Sequence, residues 1–452
     1  MRRKNLFCII FALLLLVTSA RAGYSDLPEV DVQARSAILV DGKTGELLYT
    51  RSIHIQRPPA SITKVMTTFL ALEFIANEPE RLNDIVTAEK GDFFDMVSDG
   101  STANIKEGEE LTLEQLLYCA MVVSANESCN IIARYVAGSV PDFVELMNAR
   151  AKELGCENTN FANTHGLPHA EHYSSAYDIY LIVREAMKIP LFMELAHTEV
   201  YTIPPTNKTP EGRSLITTNN LITKRRSAEY IYAYARGIKT GSTGEAGYCL
   251  VSSAEKDGMV LISVVLGAAR DEETNLARSF TETRDLFEWG FNNFTTKRLL
   301  GKNEPVSSVK VLQGVDADEV ILVPQQVIEA LVPVSLNPED IKREVTLYET
   351  EITAPVYRGR ELGEVTLTFE GHNYGTVPLV ANFAIERSTT DQIKSNITEI
   401  IDDISLWSWL PWVIGAVVGF TLLYFVIVIV MNLRRRARRR PAPNYKGRKR
   451  RR

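Results

Sequence analysis

The sequence predicts an α/β fold of the α+β kind, with an antiparallel sheet and a helical region, followed by a small all-β domain and a C-terminal transmembrane helix. Three observations predict it. Strand patterns lie near both ends of the first 300 residues with helical patterns between them, short alternating strands follow, and residues 406–433 carry no charge. A chain of 452 residues suits two domains and additional targeting segments.

The first domain opens with a hairpin and continues as helices. Apolar stretches flank the turn Asp41-Gly42-Lys43-Thr44-Gly45, so residues 36–49 are typical of a β-hairpin. Apolar residues then recur at helical spacing in residues 61–75. Further helical patterns cover residues 112–137, 141–154 and 176–188.

Strands return at the end of this domain. Residues 237–267 have strand character and residues 281–291 return to helical spacing, so we assign residues 23–298 to one domain. Turn residues then separate short alternating strands, which predict an all-β domain at 304–388 and a polar linker at 389–405. The predicted strands of the β domain are 306–311, 319–323, 345–348, 353–357, 364–369 and 375–380.

The N-terminus has the three parts of a secretory signal peptide at residues 1–22. Arg2, Arg3 and Lys4 precede the apolar run 6–17, and Ala20-Arg21-Ala22 has the small-x-small form of a cleavage site. A permanent N-terminal anchor is the alternative, but the apolar run is short for a spanning helix. We therefore expect export.

The C-terminus predicts a membrane anchor. Residues 406–433 are long and apolar enough to cross a bilayer, and three tryptophans cluster at their start. Residues 434–452 are rich in arginine and lysine, which predicts a cytoplasmic tail, a single span in the cell membrane and an extracytoplasmic location for the domains before residue 406. A tail that binds nucleic acid is the alternative reading of those arginines.

The distribution of charge argues against a nucleic-acid partner. The tail carries +12 and residues 1–22 carry +4, with no acidic residue in either, so the part between them has a net charge of −22 although the whole chain has −6. An acidic exterior repels a polyanion.

Four cysteines remain after residue 22, namely Cys119, Cys129, Cys156 and Cys249, and they suit either disulfides or buried thiols. No HExxH or similar metal signature is present.

Ser61-Ile62-Thr63-Lys64 is the first of three short motifs with chemical meaning. At the start of a helix, a serine and a lysine three residues apart lie on one face. A lysine whose pKa is lowered by desolvation can take the serine proton and make the hydroxyl a nucleophile. The pattern is common, however, and residues 253–256 and 307–310 have it as well.

The other two motifs supply polar groups. Ser124-Ala125-Asn126 offers a hydroxyl for proton relay and an amide for a substrate carbonyl. Lys239-Thr240-Gly241 offers a cation and a hydroxyl for a carboxylate, and its glycine allows a backbone to approach closely. Both patterns recur, at Ser335-Leu336-Asn337 and at Lys43-Thr44-Gly45. Only the set that begins at Ser61, Ser124 and Lys239 places the three motifs in order at a helix start, between helices and on a strand.

In this order the motifs resemble those of the low-molecular-mass penicillin-binding proteins of the D-alanyl-D-alanine carboxypeptidase type. The resemblance covers roughly residues 30–295, and a β domain and C-terminal membrane attachment follow as in this family. The segments that carry it are Pro59-Ala60-Ser61-Ile62-Thr63-Lys64-Val65-Met66-Thr67, Asn163-Thr164-His165-Gly166-Leu167, Tyr173-Ser174-Ser175-Ala176-Tyr177-Asp178, Gly237-Ile238-Lys239-Thr240-Gly241-Ser242-Thr243 and Ala246-Gly247-Tyr248.

The resemblance implies a β-lactamase/transpeptidase-like catalytic domain and an acyl-enzyme mechanism. Ser61 would attack the carbonyl between the two terminal D-alanines of a peptidoglycan stem peptide, with Lys64 as base. Ser124 and Lys239 would complete the proton transfers. No metal or cofactor would be needed. β-Lactam antibiotics would be trapped on Ser61 as slowly released acyl-enzymes.

The resemblance also implies the substrate contacts. Asn126 would contact the peptide, and Thr240 and Ser242 would lie where its terminal carboxylate is held, beside Gly241. Backbone N–H groups of Ser61 and Ser242 would form the oxyanion hole. Residues 217–221 lack an arginine that some relatives carry there.

Three other functions share the predicted scaffold. A β-lactamase would need a deacylating base, and no Glu-x-x-Leu-Asn segment lies between the second and third motifs. A DD-endopeptidase would cleave cross-links with the same residues. An inactive scaffold that binds cell-wall peptide is the third. We expect His165 and Asp178 to be structural rather than catalytic.

Overall fold

The computed structural model describes residues 27–390, 393–394, 396–398 and 406–437. The predicted signal peptide, most of the predicted linker and the tail beyond Ala437 lie outside these residues. The described chain divides into two compact units, one built mainly from residues up to Leu299 and the other mainly from later residues.

Between residues 27 and 293, the described part of the first unit contains nine strands and seven α-helices. The strands are β1 (Ser36–Asp41), β2 (Leu47–Arg51), β3 (Ile85–Thr87), β4 (Glu110–Thr112), β5 (Val200–Ile203), β6 (Arg213–Ile216), β7 (Ala235–Thr243), β8 (Gly247–Lys256) and β9 (Met259–Ala268). The helices are α1 (Lys64–Phe74), α2 (Leu113–Val122), α3 (Asn126–Ala137), α4 (Val140–Glu153), α5 (Ala176–Ala186), α6 (Pro190–His197) and α7 (Arg278–Asn293).

A five-stranded antiparallel sheet organises this unit. Its strand order is β2-β1-β9-β8-β7, so the predicted N-terminal hairpin pairs with the last strand of the domain. Side chains on β1 alternate between two cores, as the period of a strand requires. Ile38 and Val40 join the core that contains α1–α6, whereas Ala37 and Leu39 join the core that contains α7. The sheet is therefore buried on both faces.

The predicted helical stretch 112–137 is two helices in the structure. α2 begins at an N-cap, where the Thr112 side chain accepts a hydrogen bond from the backbone of Gln115. It ends before Ser124, whose φ of 62° is incompatible with a continuing right-handed helix. The continuous apolar pattern of the sequence hides this break, which places Ser124 in a tight turn between helices.

The β-rich part contains the predicted all-β structure. Its strands are β10 (Phe294–Leu300), β11 (Ser307–Leu312), β12 (Glu319–Pro324), β13 (Ile328–Pro333), β14 (Lys342–Leu347), β15 (Glu351–Thr353), β16 (Glu361–Phe369) and β17 (His372–Ala381). A six-stranded sheet has the order β14-β16-β17-β12-β11-β15, and β10 pairs with β13. The predicted strand 353–357 is wrong in position, because β15 is Glu351–Thr353 and shares only Thr353 with it. Pro355 has no N–H to donate to a ladder, so the strand does not continue through it.

A final helix, α8 (Leu406–Ala437), matches the predicted apolar segment. Its stretch Trp409–Arg436 is long and apolar enough to cross a membrane, and its large side chains are exposed. A helix of this composition is compatible with a membrane anchor.

Candidate active site

Ser61 lies on a single 3-10 turn, Ala60–Thr63, that leads directly into α1. Lys64 is the first residue of α1, one turn after Ser61. Its Nζ donates a hydrogen bond of 2.9 Å to Ser61 Oγ. The structure thus brings the first motif into the geometry that its spacing predicts.

The Lys64 amine is fully buried and has three acceptors. Besides Ser61 Oγ, its Nζ donates to Asn126 Oδ1 and to the backbone oxygen of His165, each at 2.8 Å. Burial lowers the pKa of Lys64 to about 8, against the opposing effects of Cys129 and Glu127. A lysine with this pKa is a competent general base near neutral pH.

The second motif occupies the turn between α2 and α3. Asn126 is the first residue of α3, and its side chain bonds directly to Lys64 as described above. Ser124 is only 3% exposed, and its hydroxyl has no hydrogen-bond partner among the described residues. The sequence predicts a proton relay from Ser124, whereas in the structure Lys64 donates its hydrogen bond to Asn126 Oδ1 and not to Ser124.

The third motif lies on β7, an edge strand of the sheet. Gly241 makes a close backbone approach there, because a Cβ on it would lie 3.0 Å from the Ser61 nitrogen and 3.1 Å from that of Ile62. A larger residue would press these backbone atoms out of place by a few tenths of an ångström. β7 is thereby held beside the turn that carries Ser61.

Lys239 is buried beside the same centre. It is 1% exposed and its Nζ donates to the Thr240 backbone oxygen at 3.0 Å. Burial, followed by repulsion from Lys64, lowers its pKa well below the ordinary value. Two buried ammonium groups would repel each other, so the pair favours loss of a proton.

A cavity of about 440 Å³ opens over these residues. Ser61, Ser124, Thr240, Gly241, Ser242 and Thr218 are among its lining residues. The Thr218 and Thr240 hydroxyls lie 2.6 Å apart. All three motifs therefore contribute to one concave site, the usual form of a small-ligand pocket.

Arg270 is the only lysine or arginine among the described residues that line the cavity. Its guanidinium stacks over the Tyr248 ring at 4.9 Å and donates to the Tyr248 hydroxyl at 2.7 Å. A second hydrogen bond of 2.7 Å reaches the Asn275 backbone oxygen. Sequence reasoning missed Arg270 and Thr218. Tyr248 was noted, but nothing in the sequence shows that an arginine 22 residues later packs on it.

Asp178 and His165, which belong to two of the segments that carry the family resemblance, do not line the cavity. Asp178 accepts hydrogen bonds from the Asn158 backbone and the Thr159 hydroxyl, both at 2.7 Å, at the start of α5. His165 reaches Lys64 only through its backbone oxygen.

The cysteines Cys119, Cys129, Cys156 and Cys249 are free thiols. Within the described ranges, no group of three or more His, Cys, Asp or Glu side chains could hold a metal ion.

Comparison with known proteins assigns both parts of the chain. Residues 22–270 match the family model described as D-alanyl-D-alanine carboxypeptidase. Residues 294–387 match the model of the C-terminal domain of penicillin-binding protein 5. The chain is 32% identical over 385 residues to D-alanyl-D-alanine carboxypeptidase DacF of Bacillus subtilis, covering 84% of this chain and 94% of that protein.

Solved structures agree. Penicillin-binding protein 6B from Escherichia coli superposes with a TM-score of 0.62 at 28% identity, covering 80% of this chain and 99% of that one. Penicillin-binding protein 5 from Haemophilus influenzae gives a TM-score of 0.61 at 27% identity, with 80% and 99% covered. The chain belongs to the D-alanyl-D-alanine carboxypeptidase family of penicillin-binding serine peptidases.

Proposed function

We propose that this protein is a serine-type D-alanyl-D-alanine carboxypeptidase that removes the terminal D-alanine from peptidoglycan stem pentapeptides. Ser61 is the nucleophile and forms an acyl-enzyme with the shortened peptide. The observation that carries the proposal is the 2.9 Å contact between the buried Lys64 amine and Ser61 Oγ, at the floor of a cavity that Thr240 and Ser242 also line.

Acylation follows from this arrangement. Neutral Lys64 takes the Ser61 proton as Oγ bonds to the carbonyl carbon of the penultimate D-alanine. The carbonyl oxygen becomes an oxyanion, and in this proposal the backbone N–H groups of Ser61 and Ser242 stabilise it. The close packing of Gly241 against the Ser61 nitrogen supports this pairing of N–H groups.

Release of the leaving group completes the first half. The C–N bond breaks, and the proton that Lys64 took passes through Ser124 and Lys239 to the nitrogen of the departing D-alanine, which leaves Lys64 neutral again. Asn126 keeps Lys64 oriented and lies at the edge of the peptide. Water then attacks the ester while Lys64 takes a proton from it, the bond to Ser61 Oγ breaks and Lys64 returns the proton to Oγ. The product acid gives its remaining proton to solvent and leaves as a carboxylate.

The substrate's terminal carboxylate is held by Thr240 and Ser242, and Arg270 supplies the positive charge that the cavity offers it. Arginine binds carboxylates through charge-assisted hydrogen bonds. β-Lactam antibiotics, which also carry a carboxylate beside a strained amide, acylate the same serine.

The membrane arrangement completes the proposal. α8 spans the cell membrane once, the catalytic domain is extracytoplasmic and the arginine-rich residues after 433 are cytoplasmic. The length and exposed apolar surface of α8 support the anchor, and the charge of the tail supports its orientation.

D-Alanine release tests the proposed activity. The chain in detergent is incubated with a synthetic stem pentapeptide ending in D-Ala-D-Ala, and free D-alanine is measured enzymatically. We expect steady release that falls by about 10³-fold or more in Ser61→Ala, because loss of a nucleophile removes the covalent route. Cleavage of a cross-linked peptide dimer with no D-alanine release from the pentapeptide would instead indicate an endopeptidase.

A further inference from the structure

The segment Asn163-Thr164-His165-Gly166-Leu167 is built around Lys64, although none of its side chains lines the cavity. Gly166 packs so closely under the nucleophile turn that a Cβ on it would lie 1.9 Å from the Ala60 backbone oxygen. The Asn163 side chain accepts hydrogen bonds from the backbones of His165 and Gly166. The segment therefore fixes the position of one backbone oxygen, that of His165.

That oxygen decides where the lone pair of Lys64 points. A protonated lysine has three N–H donors, and the structure offers it three acceptors. A neutral amine has only two donors. Asn126 Oδ1 and the His165 oxygen can only accept, so they take both donors and leave the lone pair directed at the Ser61 hydroxyl. Loss of either acceptor would free the amine to rotate.

The His165 side chain is anchored by Asp95. The Leu167 N–H donates to His165 Nδ1 at 3.2 Å, so that nitrogen is the acceptor and Nε2 carries the proton. His165 Nε2 donates to Asp95 Oδ2 at 2.8 Å, and His165 is 1% exposed. A buried, neutral histidine with both nitrogens bonded has a single orientation.

Asn130 on α3 joins Asp95 to the same segment. Its side-chain nitrogen donates to Asp95 Oδ1 at 2.9 Å, and its oxygen accepts from the Thr164 hydroxyl at 2.6 Å. Thr67 on α1 donates to the Thr164 backbone oxygen at 2.5 Å. Hydrogen bonds thus connect the segment to α1, α3 and the loop of Asp95.

We propose that Asp95 is a positioning residue, which acts through His165 to hold the lysine base in line with the Ser61 hydroxyl. This inference rests on the proposed function. Asp95 is absent from the residues that line the cavity, so its effect falls on proton transfer and not on binding.

The surrounding charges support this assignment. Burial raises the pKa of Asp95, but hydrogen bonds from His165 and Asn130 outweigh it, so its pKa lies below the ordinary value. Burial lowers the pKa of His165, and Asp95 only partly opposes this. Asp95 thus stays an anion and His165 stays neutral. The other titratable groups that face Lys64 are Glu127 and Cys129 on α3, Lys239 on β7 and His172 in the loop before α5.

The test separates the acylation rate from binding. The chain in detergent is mixed with the chromogenic cephalosporin nitrocefin, and the maximal acylation rate and the dissociation constant of the non-covalent complex are measured from pH 6 to 10. We expect Asp95→Ala to lower the maximal rate on the order of 10-fold or more, because a misplaced base costs rate steeply. The dissociation constant should change less than about twofold, because Asp95 does not line the cavity.

The pH profile provides a readout that a purely structural role would not move. Without the Asp95 anion, and without a fixed His165 backbone oxygen to accept from Nζ, the Lys64 ammonium is less stable. The midpoint of the acylation-rate profile should therefore shift to lower pH. Asp95→Asn keeps the size of the side chain and should give a smaller loss. Asp99→Asn, an exposed carboxylate in the same loop, is the matched control and should behave like the unsubstituted chain.

Each result counts for or against the proposal. An acylated parent chain with unchanged rate and midpoint in both Asp95 variants would overturn the positioning role and leave the proposed function standing. No acylation of the parent chain would instead remove the proposed function. If Asp95→Ala does not fold, Asp95→Asn decides the question alone.

Discussion

At the residue scale, the site depends on placing a lysine where its charge is unfavourable. Lys64 has no solvent exposure and Lys239 has almost none, and both have lowered pKa values. Isolated buried cations are costly, so side chains placed this way at one cavity indicate function. The motif spacing predicts that Lys64 is near Ser61. It does not predict the burial that tunes the base, because burial comes from helices packed around it.

The pKa of Lys64 predicts a pH dependence of acylation. The pKa in the folded protein, about 8, is below the ordinary 10.5, and the active base is the neutral form. The acylation rate by a penicillin should therefore rise with pH and level off above about 8. Below the midpoint it should fall about tenfold per pH unit. Stopped-flow acylation between pH 5.5 and 9.5 checks this, and a rate independent of pH over that range would exclude Lys64 as the base.

At the element scale, two close backbone approaches assemble the site. β7 lies against the nucleophile turn at Gly241, and the loop before α5 lies under it at Gly166. In both places the nearest neighbours are backbone atoms, which cannot move aside as a flexible side chain would. The approaches hold the first motif against the third motif and against the segment 163–167.

Gly166→Ala should show the weight of this packing. Gly166 has a φ of 91°, and an added Cβ would lie 1.9 Å from the Ala60 oxygen. Gly138 is the matched control, since its φ is 84° and nothing lies within 4 Å of such a Cβ. Gly138→Ala should cost about 1–2 kcal/mol for the left-handed backbone alone. Gly166→Ala should cost about 1–3 kcal/mol more for overpacking.

Thermal unfolding and penicillin acylation measure the two effects. Gly166→Ala should lower the unfolding midpoint further than Gly138→Ala and should also slow acylation. Equal unfolding midpoints and equal acylation rates in the two variants would show that the approach at Gly166 does not matter.

The elements also show how far the sequence reaches. The hairpin at 36–49, the helix after Ser61 and the strands β8 and β9 are predicted, because each has a long pattern of one period. The strands β3 to β6, with three or four residues each, and the eight-residue helix α6 are not, because such short elements carry no readable period. The pairing of β1 with β9 joins residues more than 200 positions apart, which local patterns cannot show.

At the scale of the whole molecule, the order of the segments along the chain agrees with the proposed activity and membrane arrangement. A catalytic domain and a β domain, which together are acidic, precede an apolar helix and a basic tail. Composition alone predicts this order, because targeting segments and domains differ in gross composition. Composition does not predict Arg270, whose place in the cavity depends on a loop that folds back onto Tyr248.

In the proposed mechanism, Ser61 carries the acyl group of the acyl-enzyme. The most direct test is to label the chain with benzylpenicillin, digest it and locate the modified peptide by mass spectrometry. We expect one penicillin on the peptide that contains Ser61 and none in Ser61→Ala. Labelling of another serine, or equal labelling of the Ser61→Ala variant, would contradict the assignment of the site.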